Sequence, residues 1–397
     1  MELELNVSSI KDKVQNLTKE QEDFIYFKGN KSIILSSCAG SGKTFVCVHR
    51  LKELLKRGVD PKKIIFFSFT TAAVEELKSR VQNDDIKITT IHAFCQGLLY
   101  RMGKEKKIST FYDFVNWFKE THKPKESALQ IDKSTFYETI SNLYDDAEML
   151  SASINSYKLQ LADNIKVKVP EYFIEYSHYL KETKARDFSD MLIEVRELLK
   201  EEKWLKMFRG KFEYVFVDEM QDTSLTQMKI LLSLNAKIYY LIGDRFQSIF
   251  LYAMANCIGV ENLLKSRRET VEMHLTTNFR SCKSIVEYSN QYSDLKAIPF
   301  YQEEGFVNKY ILNFNQYVEL LENNEEIVTL VRTNAVIKSI EKRLLLKKIK
   351  INYLNYLKKD EIEEIQEGKE RFSTKQKIDS ILKEGSLKIK TNWLTLF

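Results

Sequence analysis

The string Ser37-Cys38-Ala39-Gly40-Ser41-Gly42-Lys43-Thr44 carries the residue types that hold a triphosphate. The small residues Ser37, Gly40, Ser41 and Gly42 let the backbone curl so that its N–H groups point at phosphate oxygens. Lys43 is spaced to reach the β- and γ-phosphates, and Thr44 to ligate Mg²⁺. The strict phosphate-loop pattern begins with Gly; Ser37 stands there and is small enough to keep the turn. A second constellation is Tyr214-Val215-Phe216-Val217 running into Asp218-Glu219. Enzymes with this loop need a carboxylate at the end of a neighbouring parallel strand to hold Mg²⁺, which suits Asp218. Glu219, one residue on, could polarise the attacking water as general base. Most adjacent acidic pairs are solvated surface, but this one ends a buried-strand run and opens the longer string Asp218 to Thr223.

These side chains need a parallel sheet to bring them together. A buried strand over 31–37 precedes the loop, and a helical pattern over 44–55 follows it. A second strand over 63–69 leads into an Ala- and Glu-rich helix over 71–81, and 86–90 reads as a third. The strand pattern lapses over roughly 95–187, where Lys, Tyr, Phe and Glu recur at helical spacing. It returns over 212–217, 237–242, 307–312 and 327–331. Strand–helix alternation predicts an α/β fold with a parallel sheet, interrupted by a helical insertion. From Lys338 the chain is charge-rich and helical, and holds most of the net positive charge.

Composition narrows the function classes. Of 397 residues, 44% are apolar and 29% charged, which excludes a disordered or collagen-like chain. The net charge of +5 permits contact with nucleic acid without requiring it. No two of the five cysteines, Cys38, Cys47, Cys95, Cys257 and Cys282, are spaced as C-x-x-C, so a zinc ribbon or iron–sulfur cluster is not expected. Reduced packing cysteines and the absence of a signal-peptide pattern predict a cytoplasmic protein. No apolar run approaches the ~18–20 residues of a membrane helix.

Taken in order, the motifs resemble those of the UvrD/Rep/PcrA group of superfamily 1 DNA helicases across 17–335. Leu17-Thr18-Lys19-Glu20-Gln21 resembles the opening motif. After the phosphate loop come Phe66-Phe67-Ser68-Phe69-Thr70-Thr71-Ala72-Ala73, Thr90-Ile91-His92 and Asp187-Phe188-Ser189-Asp190-Met191-Leu192. Asp218 to Thr223 matches a DExQDT string, and Gly243 to Phe250 the motif that couples nucleotide to DNA. Leu275-Thr276-Thr277-Asn278-Phe279-Arg280-Ser281 resembles the first motif of a second motor lobe, and Val331-Arg332-Thr333-Asn334 the strand after it.

The resemblance implies a P-loop NTPase with ATP and Mg²⁺ as cofactors. Its RecA-like first lobe would span 1–95 and 186–272, its helical insertion 96–185, and its partial second lobe 273–397. It implies that Gln21 reads the adenine edge, Phe279 stacks on the adenine, and Gln247 senses the γ-phosphate. Arg280 would act on that phosphate as an arginine finger from the second lobe. Phe69, Thr70, Thr90, His92, Phe250 and Tyr252 would line the path of single-stranded DNA, with travel 3′ to 5′. Three local departures stand out. Phe45 occupies a position where the family often has Arg, Ala253 replaces a cation after Phe250, and Thr71-Ala72 replaces a polar–basic pair. The family's last two motifs have no match before Phe397, from which a shortened product is expected.

Two readings follow. The first is an ATP-dependent helicase or translocase stimulated by single-stranded or tailed duplex DNA. The second is a non-unwinding ATP- and DNA-binding accessory subunit, partnered by a nuclease or another protein in repair or antiphage defence. A small-molecule kinase on the same loop would leave the DNA-facing motifs unexplained.

Overall fold

A computed structural model describes residues 17–122, 139–140, 143, 147–248, 255–308, 314–322, 327–330, 340 and 392–395. The chain divides into two compact units, Met1–Val307 and Asn308–Phe397.

The first unit is built on six strands: β1 (Ser32–Ser37), β2 (Ile64–Ser68), β3 (Lys87–Thr90), β4 (Tyr214–Val217), β5 (Ile238–Gly243) and β6 (Thr270–Leu275). All pair in parallel, in the spatial order β3-β2-β4-β5-β1-β6. Strands buried on both faces read as continuous apolar runs rather than alternating ones, and β2 and β5 are buried at every position. Alternate residues supply two separate cores. Ile34, Ile65, Phe67, Val215, Val217, Tyr239 and Leu241 face one side. Ile33, Leu35, Ile64, Phe66, Phe216, Tyr240 and Ile242 face the other. On that second face Phe66 stacks on Phe216 and Phe216 on Tyr240, with ring centroids 5.4 and 4.2 Å apart.

Helices cover both faces. α1 (Lys19–Ile25), α2 (Lys43–Lys56) and α3 (Thr71–Val81) pack on the second core. α4 (Ile91–Arg101) packs on the first. The insertion contributes α5 (Phe111–Thr121), α6 (Ala147–Ala162) and α7 (Phe173–Glu182), which share an aromatic core of Phe111, Phe114, Tyr176 and Tyr179. Its two ends lie side by side: the Ser109 amide donates to the Arg186 carbonyl at 2.8 Å, and the Arg186 amide to the Lys107 carbonyl at 3.0 Å. α8 (Phe188–Leu198), α9 (Glu202–Phe208), α10 (Leu225–Ser233) and α11 (Cys257–Lys265) return to the first core. The insertion is tied to α8 through buried charge, with Lys158 Nζ 2.7 Å from Asp187 and 2.8 Å from Asp190.

The expected boundary at residue 273 falls inside β6, which registers on β1 as far as Ser37 against Leu275. Beyond it lie a two-residue ladder, β7 (Thr277–Asn278) with β8 (Ile298–Pro299), and α12 (Lys283–Ser289) between them. The strand expected over 307–312 begins as non-strand at 307–308, and its remainder lies outside the described residues. In the second unit, α13 (Phe314–Glu322) packs through Tyr317 and Val318. There β9 (Ile327–Leu330) pairs in parallel with β10 (Asn392–Thr395). Among the described residues no helix is long and apolar enough to cross a membrane.

Candidate nucleotide and DNA site

The phosphate loop lies between β1 and α2. Gly40 and Gly42 adopt φ of +70° and +84°, a left-handed conformation that a side chain disfavours. Gly42 is the N-cap of α2, so the first free amides of the helix stand beside Lys43 and Thr44. The departure at Ser37 has a structural use: its hydroxyl donates to the Gly243 carbonyl at 2.9 Å, pinning the loop's start to the end of β5. Gln21 is buried on α1 in a capping box with Thr18, and its Nε2 donates to the Ser41 carbonyl at 3.4 Å. Ser41 itself is buried.

The acidic strand end faces this loop. The Asp218 amide donates to the Phe67 carbonyl, continuing the β4–β2 ladder by one step. Its carboxyl is nearly fully buried and pushed up to about 7, chiefly by burial and then by Glu219, with Lys43 opposing. Glu219 has φ +53°, a left-handed conformation that costs a non-glycine residue strain and that clusters at functional sites. Its carboxylate stands 3.3 Å from the Lys43 ammonium. Burial first, then Glu219, pushes Asp222 up to about 6, and burial raises Asp244 as well. Lys43 counters the shift at all three aspartates.

Such a carboxylate-rich site favours a cation, and a nearly buried Asp218 without an ion-pair partner among the described residues fits one. No group of three His, Cys, Asp or Glu among the described residues forms a protein metal cage. Mg²⁺ does not require one, since it is usually held by one or two carboxylates, water and substrate phosphates. Thr44 and Asp218 are the residues that would hold it.

Gln221, given no role from the sequence, connects the acidic strand end to the coupling motif. Its Nε2 donates to Glu219 Oε2 at 2.7 Å, and its Oε1 accepts from the Asp244 amide at 3.1 Å. Asp244 then accepts from Gln247 Nε2 at 2.9 Å, and the Ser248 hydroxyl donates to the Gln221 carbonyl at 3.1 Å. A continuous path therefore runs from Lys43 through Glu219, Gln221 and Asp244 to Gln247. Polar triplets give no sequence periodicity, which is why only the motif match flagged them.

Asn278 is a second residue to which the sequence assigns no role. It is buried, donates from Nδ2 to the Ala39 carbonyl at 2.8 Å, and accepts at Oδ1 from the amides of Arg280 and Ser281. The Phe279 amide donates to the Gly40 carbonyl at 2.9 Å. These bonds lay the Asn278–Arg280 backbone against the phosphate loop. A Cβ at Gly40 would lie 2.6 Å from that of Arg280. Arg280, expected to approach across a gap from a second lobe, stands in the same compact unit as the loop, with an exposed side chain. Phe279 packs against Phe300 with ring centroids 4.9 Å apart. Glu20 adds a further tie, accepting from the amide and hydroxyl of Thr276. Phe45 is exposed, with its ring 4.1 Å from that of His49.

Of the residues matched to a DNA path, Phe69, Thr70, Thr90 and His92 lie at the carboxyl ends of β2 and β3. Phe69 is 38% exposed. Thr70 and Thr90 are helix N-caps whose hydroxyls accept from the Ala73 and Ala93 amides, so these oxygens are engaged before any ligand arrives. His92 packs edge-on against Phe188 at 5.1 Å, and burial holds its imidazole below the usual range. Phe250 and Tyr252, with Ala253 and the Val331–Asn334 string, lie outside the described residues.

With this geometry in hand, comparisons with known proteins agree on one family. The model of the UvrD/REP helicase N-terminal domain matches residues 17–270. A probable DNA helicase II homolog from Mycoplasma capricolum is 27% identical over 300 residues, covering 71% of this chain and 41% of that protein. A probable DNA helicase from Mycoplasma pneumoniae is 27% identical over 304 residues, covering 70% and 55%. The ATP-dependent DNA helicase PcrA of Staphylococcus epidermidis is 27% identical over 298 residues, covering 70% and 40%. The chain thus spans roughly two fifths to just over half the length of these relatives. The match extends over the phosphate loop, the acidic strand end and the coupling motif, and the chain belongs to the UvrD/REP helicase family.

Proposed function

We propose that this chain hydrolyses ATP with Mg²⁺ and couples the hydrolysis to movement along single-stranded DNA. One observation carries the reading: Lys43 and Glu219 are paired at the mouth of the phosphate loop, and Gln221 connects that pair to the coupling motif. A γ-phosphate bound by the loop competes with Glu219 for the Lys43 ammonium. Glu219, released, is then free to take the proton of the attacking water. Arg280, whose Cβ lies beside Gly40, would follow the charge that develops on the phosphate, a contribution worth ~10³–10⁵ in rate for arginine fingers. Thr44 and Asp218 would hold Mg²⁺, which would supply charge neutralisation at the phosphate oxygens.

Gln21 is the candidate for the adenine edge and Phe279 for the adenine face. Gln247 would report the state of the γ-phosphate to the strand. Phe69 and His92 would stack bases, at ~1–3 kcal/mol each, without sequence preference. Phe250 and Tyr252 belong to the same proposed path, with travel 3′ to 5′. Four buried cysteines, with Cys38 pushed up to about 11 and Cys95 and Cys257 to about 12 by burial, suit a reducing cytoplasm.

The test is phosphate release by the purified chain, with Mg²⁺ or EDTA and with or without oligo-dT, beside strand separation on duplexes with 3′ or 5′ tails. The reading expects Mg²⁺-dependent turnover stimulated by DNA and separation from the 3′ tail. Turnover without strand separation would move the assignment to the accessory subunit. No turnover under any condition would remove the enzymatic reading.

A further inference from the structure

Ser68 closes β2, directly before Phe69 and Thr70 and one strand away from Asp218. Its hydroxyl is buried and has no hydrogen-bond partner among the described residues. The caps of the following helices do not use it, since Thr70 and Thr90 serve there. Buried hydroxyls in folded proteins are nearly always paired, with protein or with ordered water. Ser68 lines a cavity of about 10 Å³ whose walls include Phe69, His92, Asp218, Thr223 and Gln227. That volume is about the least that admits one water, and a polar lining is what such a water needs.

We infer that Ser68 is a positioning residue that anchors one water between the Asp218 carboxylate and the Phe69–His92 face. The inference rests on the proposed function, because that reading puts Asp218 on Mg²⁺ and Phe69 and His92 on the bases. Both ends of the proposed coupling then share the walls of one cavity. A base pressing on Phe69 or His92 moves a wall of a space that holds a single water. The water, tethered by the Ser68 hydroxyl, passes the displacement to Asp218. Coupling of this kind is carried by packed and hydrogen-bonded groups, and a change at one of them shifts it. Removing the hydroxyl removes the tether while leaving the carboxylate, the rings and the phosphate loop in place.

The experiment measures ATP turnover of the full chain across a range of oligo-dT concentrations. DNA affinity by fluorescence anisotropy and thermal melting are measured alongside. Ser68→Ala is expected to lower the ratio of DNA-stimulated to unstimulated turnover by about 5-fold, within the ~2- to 30-fold that coupling residues give. DNA affinity should stay within about twofold, and Ser68→Thr, which keeps the hydroxyl, should restore the ratio. An unchanged ratio in Ser68→Ala overturns the inference. So does a parallel fall in DNA affinity and melting temperature, which marks a structural role, or an equal loss in Ser68→Thr. A wild-type chain whose turnover ignores DNA overturns the proposed function itself, and this inference with it.

Discussion

Asn278 fastens Arg280 to the phosphate loop. Its side-chain amide donates to the Ala39 carbonyl while its oxygen accepts from the Arg280 amide, both at 2.8 Å. One buried side chain thereby fixes the backbone of the arginine relative to the loop that would hold the phosphate. Asn278→Ala leaves the Ala39 carbonyl and two amides short of a partner, a loss of about 1–3 kcal/mol for a buried polar group. Urea unfolding should register that loss. Turnover should fall further than stability alone explains, because Arg280 is no longer held. Asn278→Asp keeps the acceptor but not the donor, so an intermediate effect would confirm that both bonds matter.

Lys43→Ala should reduce phosphate release by at least ~10²-fold, the scale for removing one group that stabilises developing charge. Affinity for single-stranded DNA should change by no more than a few-fold, since Phe69 and His92 lie on other elements. Retained turnover would take Lys43 out of the mechanism.

Glu219→Gln retains the shape and the hydrogen-bonding reach of the side chain but cannot accept the water's proton. Nucleotide binding, followed with a fluorescent ATP analogue, should persist while turnover drops ~10²–10⁴-fold. Normal turnover would show that another group acts as base. The strain of φ +53° at this position predicts that Glu219→Gly is at least as stable as wild type, because glycine adopts that conformation freely.

Gln221 and Gly243 form a tight joint. A Cβ on Gly243 would lie 2.3 Å from Gln221 Oε1 and 3.1 Å from the Met220 amide nitrogen. Gly243→Ala must therefore displace Gln221 from Glu219 and Asp244. The expected result is a loss of turnover of up to ~10²-fold, the cost of misplacing a catalytic group by about 1 Å. Gln221→Ala should produce a similar loss without the clash. If Gly243→Ala is harmful and Gln221→Ala is neutral, the damage comes from steric strain and the relay is not used.

How much of this was readable in the residues depends on locality. The phosphate loop is one contiguous string, and the helix expected over 44–55 spans Lys43–Lys56. The helix expected over 71–81 matches α3 because its caps and apolar positions are also local. β6 escaped detection. Glu272 and His274 alternate with apolar neighbours, as suits an edge strand paired on one side only, and there is no continuous apolar run. The Asn278 tie to Ala39 spans 239 residues, so no window of sequence contains both partners. The unpaired hydroxyl of Ser68 is equally silent in sequence, because a serine at a strand end carries no sign of whether its oxygen is satisfied.

Acidification tests the burial of His92. Burial alone lowers its pKa from the usual 6.5, with no charged neighbour contributing to the shift. The folded chain therefore binds the imidazole proton less readily than the unfolded chain does. Between the unfolded pKa and the depressed folded value, the unfolded state carries more protons, so stability rises with pH through that window. The contribution is fully present above about 6.5 and is lost as pH falls toward the folded value. Several carboxyls also titrate on acidification, Asp218 and Asp222 among them, so the wild-type slope alone does not isolate His92. Comparison with His92→Asn does, because asparagine stays neutral throughout. Urea unfolding at a series of pH values from 8 to 5 should show wild type losing more stability than His92→Asn on acidification. Parallel curves would mean that His92 is solvated well enough to charge in place. In that case its ring would meet DNA as a cation rather than as a neutral stacking surface.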